Sequence, residues 1–123
     1  MPSPTIVIAQ NDPKIAMQLT NDLHAHFARV AVARNAAELR TMLQRHEARV
    51  AVLDLELLNL EDVRELADMF DDLTIVCTHR SPDEKMWMKV MDAGAIEFCH
   101  PLDIHTILRA SRMVPAHHWQ IAA

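Results

Sequence analysis

Five short apolar runs recur along the chain, at residues 5–9, 29–33, 49–53, 73–77 and 95–99. Each is about five residues long and rich in Val and Ile, a pattern that predicts buried β-strands rather than helices. The segments between them carry helical periodicity. Ile15, Leu19 and Leu23 recur every fourth residue and lay one apolar stripe along a helix. Polar punctuation supports this reading. Asp12-Pro13 supplies an N-cap and a proline at the first helical position, while Asn35 with Glu38, and Ser81-Pro82 with Glu84, suggest capping boxes. Gly94 follows the fourth helical segment, where a left-handed residue would end it. Strands that alternate with helices imply right-handed crossovers and a parallel sheet covered on both faces. The expectation is a single α/β domain, a (βα)5 doubly wound sheet over residues 1–114, with a short tail at 115–123.

Composition narrows the chemistry. At 123 residues the chain suits one core, and a net charge of −5 argues against a nucleic-acid footprint. Eight histidines would reverse the sign of that charge in acid. Two cysteines are too few for a disulfide framework, nothing at the N-terminus resembles a signal peptide, and no apolar run could span a membrane. A cytoplasmic protein with no membrane or nucleic-acid partner is the expectation. The single glycine removes phosphate-cradling glycine-rich loops from consideration.

In doubly wound sheets, function collects at the carboxyl ends of the strands. The polar residues expected there are Gln10, Asn11 and Asp12, then Asp54, then Thr78 and His79, then His100. Asp54 follows the apolar run Val50-Ala51-Val52-Leu53, and Thr78 ends Leu73-Thr74-Ile75-Val76-Cys77. Ala93-Gly94-Ala95 precedes the fifth run, which contains Phe98.

In that order and spacing, residues 5 to about 114 resemble the receiver domain of two-component response regulators, of the chemotaxis-regulator type. The resemblance implies the flavodoxin-like strand order 2-1-3-4-5. It matches Asp54 to the aspartate that accepts a phosphoryl group from a phosphohistidine. It likewise matches Thr78 to the switch hydroxyl and places Phe98 at or next to the switch aromatic. A sensor histidine kinase, or another signalling protein, would be the partner. The fourth helix, fifth strand and fifth helix would form the face for partners or for a homodimer.

Departures from the family pattern are as informative. The family's metal-holding acidic pair becomes Gln10-Asn11, and His100 either replaces the family lysine or marks its deletion. Magnesium prefers carboxylate and water oxygens, so these changes predict weak Mg2+ affinity and slow or absent phosphorylation, as in a pseudo-receiver. A bulky His79 beside the switch threonine would narrow the path to Asp54. Glu56 and Arg80, each two residues beyond Asp54 and Thr78, are candidates for an ion pair across the mouth of the site.

Other readings of the same residues stay open. Asp54 can be a loop or capping carboxylate, and Gln10 and Asn11 ordinary turn residues. Cys77, His79, Cys99 and His100 have zinc-like chemistry, but alternate strand positions point to opposite faces. A competent Asp54 acceptor with an unusual metal shell is the nearest alternative. From other classes come a small phosphohydrolase with Asp54 as nucleophile and a flavodoxin-like binder of a small ligand. Met86, Trp87 and Met88 are consecutive on a predicted helix and sweep about 200° of its surface, so at least one must be exposed as a partner surface. Trp119 is a candidate to fold over the same patch. His24, His26, His117 and His118 are expected on the solvated surface.

Overall fold

In the computed structural model, which describes residues 5–113, strands and helices alternate along the chain. The strands are β1 (Thr5–Ala9), β2 (Arg29–Ala33), β3 (Val50–Asp54), β4 (Thr74–Thr78) and β5 (Glu97–Cys99). The helices are α1 (Pro13–Leu23), α2 (Ala36–Arg45), α3 (Leu60–Met69), α4 (Glu84–Ala93) and α5 (Ile104–Ser111). All neighbouring strands pair in parallel, in the order β2-β1-β3-β4-β5. The tail expected at 115–123, with Trp119, His117 and His118, lies outside the described residues.

Strand alternation divides the apolar side chains between two layers. Ile6, Ile8, Val50, Val52, Val76 and Cys99 face Leu19 and Leu23 of α1 and Ile107 of α5. Val7, Ala51, Leu53, Ile75, Cys77 and Phe98 face α2, α3 and α4, whose contributions include Leu39, Val63 and Val90. Because both faces are covered, the central strands are apolar throughout instead of alternating with polar residues.

Asp12 caps α1 through Oδ1, which accepts the Lys14 N–H at 2.9 Å and the Ile15 N–H at 3.4 Å. Asn35 accepts the Glu38 N–H, but the Glu38 carboxylate turns to the Arg34 N–H and completes no reciprocal box. For α4 the expected Ser81-Pro82 cap is replaced by Asp83, which accepts the Met86 N–H at 2.8 Å. The helix starts later because an Asx side chain three residues before an open amide is the better acceptor. A full capping box, unforeseen in the sequence, joins Asn59 and Asp62 at α3.

β3 and β4 each run one residue further than the apolar pattern predicts, and β5 is only three residues long. Pairing continues to the polar ends because Asp54 and Thr78 are register partners and the Leu55 N–H bonds the Thr78 carbonyl at 2.9 Å. Gly94 ends α4 at φ +120°, where an added Cβ would lie 2.6 Å from the Ala67 Cβ of α3. Two more residues separate it from β5, so it closes the helix without directly starting the strand.

Candidate functional site

Parallel pairing brings the carboxyl ends of β1, β3 and β4 to one edge of the sheet. A cleft of about 340 Å³ opens there, lined by Gln10, Asn11, Asp12, Pro13, Ile15, Asp54, Glu56 and Arg80. Asp54 is 2% exposed and shares a sheet face with Val50 and Val52. Its Oδ1 accepts the Glu56 N–H at 2.8 Å, and its carbonyl accepts the N–H groups of Leu57 and Leu58. These bonds fold the chain sharply away from the strand and leave Asp54 Oδ2 without a hydrogen bond among the described residues. The carboxylate therefore shapes a turn with one oxygen and presents the other at the cleft.

Thr78, beside Asp54 in register, is fully buried. Its Oγ1 is the one buried side-chain polar atom among the described residues with no hydrogen-bond partner. Such an atom forfeits water without replacement, which costs about 1–3 kcal/mol. Phe98, expected at or next to the switch aromatic position, lies in β5 and is buried. It pairs in register with Cys77 and packs in the α2–α3–α4 layer, whereas the register neighbour of Thr78 is Cys99. Alternation thus puts Thr78 and Phe98 on opposite faces of the sheet.

At the mouth, Arg80 and Glu56 form the ion pair their spacing suggested. Arg80 Nε lies 3.0 and 2.9 Å from the two Glu56 carboxylate oxygens, and an outer guanidinium nitrogen lies 2.8 Å from Oε2. The hydrogen bond from Arg80 holds the Glu56 carboxyl below the usual range and pushes the guanidinium further up. His79 does not line the cleft. Its Nδ1 accepts the Ser81 N–H, and its Nε2 faces Glu56 at 3.8 Å. Glu56 itself lies in the turn after β3, not on the strand, and is fully engaged by Arg80. That placement weakens its use as the second acid of a phosphohydrolase.

His100 also lies away from the cleft lining. Its Nδ1 accepts the Leu102 N–H at 3.1 Å within the β5–α5 turn. The thiols diverge, Cys77 in one layer and Cys99 in the other, and cannot meet at a shared metal. Burial raises both, Cys99 to about 12.

The donor set is a poor one for a divalent cation. Gln10 is 5% exposed and its Oε1 already accepts the Asp12 N–H at 3.0 Å. Asn11 offers only a neutral carbonyl, and Asp12 Oδ1 is engaged by α1. Hard cations want several anionic or water oxygens, and among the described residues the cleft leaves unengaged only one carboxylate oxygen each of Asp54 and Asp12. No group of three or more His, Cys, Asp or Glu side chains among the described residues is placed to hold a metal.

On α4, Met86 is partly buried, while Trp87 is 44% and Met88 64% exposed. Met86 also lines an apolar cleft of about 540 Å³ with Leu55, Leu58, Leu60 and Val90, a feature the sequence reading missed. The run of leucines just after Asp54 was its only signal in the sequence.

No protein-family model matches this sequence, and no curated protein matches it. Solved structures do. A response regulator from Thermotoga maritima is 20% identical, with a TM-score of 0.78 over 89% of this chain and 96% of its own. The signal receiver domain of a Bacteroides fragilis response regulator is 23% identical, with a TM-score of 0.79 over 89% and 98%. A Burkholderia pseudomallei response regulator, solved with a phosphorylated aspartic acid, calcium and citrate, is 19% identical at a TM-score of 0.78, over 98% and 73%. The fold is that of response-regulator receiver domains. Among the described residues no helix is long and apolar enough to cross a membrane.

Proposed function

We propose that this chain is a receiver-like signalling domain of two-component phosphorelays, with Asp54 as phosphoacceptor and an eroded metal site. It works chiefly through protein–protein contacts. The observation that carries this reading is Asp54 in register with Thr78 at the carboxyl edge, facing a cleft whose first-strand positions are the amides Gln10 and Asn11. In the Burkholderia protein of the same fold an aspartic acid is phosphorylated and a calcium ion is present. Here the carboxylate is kept and the charge that would accompany a metal is not. Phosphoryl transfer joins two anions, so lost counter-charge slows it.

Thr78 is the switch hydroxyl and Phe98 the switch aromatic in this reading. The exposed Trp87 and Met88 side chains give α4 a surface suited to a histidine kinase, another signalling protein or a second copy. Glu56 and Arg80 gate the mouth. The domain is a stoichiometric acceptor and not an enzyme.

Incubation with acetyl phosphate, followed by intact-mass spectrometry, tests this. The expected result is slow addition of at most one phosphoryl group, lost in Asp54→Asn. Rapid labelling that requires Mg2+ would overturn the eroded-metal part. Sustained turnover of a generic phosphate ester, abolished in Asp54→Asn, would replace the acceptor reading with the phosphohydrolase one.

A further inference from the structure

We propose that Arg80 supplies, from within the chain, the positive charge beside Asp54 that a divalent cation would otherwise supply, so that phosphoryl transfer to Asp54 runs without metal. The inference rests on the reading of Asp54 as acceptor and names the group that answers its charge. Four observations carry it. Gln10 Oε1 and Asp12 Oδ1 turn to local backbone amides, and Gln10 and Asn11 are neutral, so the β1 end offers a cation a single carboxylate that already caps α1. Arg80 lines the same cleft as Asp54 and is the only cationic side chain there. Its guanidinium is held in place before any ligand arrives, by the bidentate bond to Glu56, whose carboxylate also faces His79 Nε2 at 3.8 Å. Finally, the buried Thr78 Oγ1 has no partner, as expected of a hydroxyl reserved for an incoming oxygen.

The chemistry suits a guanidinium. Arginine carries five N–H donors in a planar fork. Glu56 engages Nε and one outer nitrogen, and leaves the N–H groups of the other outer nitrogen for phosphoryl oxygens. With acetyl phosphate as donor, Asp54 Oδ2 attacks phosphorus and forms the new P–O bond. The bond from phosphorus to the acetyl oxygen breaks, and acetate leaves with the electron pair. No proton or oxidant is required. Arg80 bears on the charge of the transferring group, and Thr78 can donate to one of its oxygens.

The experiment compares initial labelling rates with acetyl phosphate, in EDTA and in Mg2+, for the intact chain, Arg80→Ala, Arg80→Lys and Asp54→Asn. The expected rates in EDTA and Mg2+ agree within about two-fold. Arg80→Ala falls about 100-fold, in line with the loss of one preorganised charged donor. Arg80→Lys recovers part of the loss, because a point charge replaces a fork. Added guanidinium ion partly restores Arg80→Ala, which a merely structural role would not produce. Labelling in EDTA that Arg80→Ala leaves unchanged overturns this inference and leaves the acceptor reading standing. No labelling under any condition also overturns it, and leaves a domain acting by contacts alone. Labelling that needs Mg2+ overturns both this inference and the eroded-metal reading.

Discussion

The bodies of the strands and their carboxyl ends follow different rules. In the bodies the side chains of Ile6–Ala9, Val50–Leu53 and Ile75–Cys77 are all apolar and buried, and each face meets its own layer of helices. Thr74, at the start of β4, is polar, and its hydroxyl donates to the Met113 carbonyl at 3.2 Å. At the ends, Asp54 and Thr78 are also buried, yet among the described residues Thr78 Oγ1 bonds nothing and Asp54 keeps one oxygen unpaired. The body is built for stability. The edge carries polar groups that stability alone would remove. Within that edge a second contrast appears, because the β1 end closes on itself through Gln10 and Asp12 while the β3 and β4 ends stay open.

Mutations separate the two regimes. Leu53→Ala, one residue before Asp54, opens a cavity in a fully buried site and should cost about 2–5 kcal/mol in urea denaturation. Gly94→Ala forces a side chain into a positive-φ position 2.6 Å from Ala67, and should cost about 1–3 kcal/mol by the same assay. Thr78→Val should act in the opposite sense. It replaces an unpartnered hydroxyl with a methyl of similar shape, so stability should rise by about 1 kcal/mol. A loss of stability in Thr78→Val would show that the hydroxyl is satisfied and would erase the contrast.

Met88→Glu, on the exposed face of α4, should change stability by less than about 0.5 kcal/mol while abolishing self-association or partner binding in sedimentation and pull-down measurements. Unchanged association would remove α4 from the account. The smallest effect is the titration of Glu56. Its carboxyl titrates below the ordinary value of 4.5 in the fold because Arg80 favours the charged form. The pair therefore contributes fully above that ordinary value and is lost as pH falls through the depressed one. Carboxyl NMR should show Glu56 titrating below a free glutamate, and Arg80→Ala should return it to the normal range.

The contrast also explains what the sequence could reveal. Strand bodies are legible because burial on both faces demands runs such as Val50-Ala51-Val52-Leu53, and the Asp12-Pro13 cap is local. The ends of β3 and β4 were misjudged by one residue because their last members are polar, and only cross-strand pairing keeps them in the sheet. The positions of Asp54, Thr78, Glu56 and Arg80 followed from counting beyond the strands. The orientation of His79 and His100 did not, since each ring is turned by a backbone amide two residues on. The face on which Phe98 sits depends on the register of a three-residue strand, which periodicity cannot fix.

The central claim is that the Asp54 cleft has no use for a divalent cation. Its most direct test is a magnesium titration of the intact chain followed by the amide resonance of Glu56, whose N–H is bonded to Asp54 Oδ1. The account predicts that this resonance and those of Asn11 and Asp12 stay in place up to millimolar Mg2+. Saturable shifts at these amides, abolished in Asp54→Asn, would contradict it.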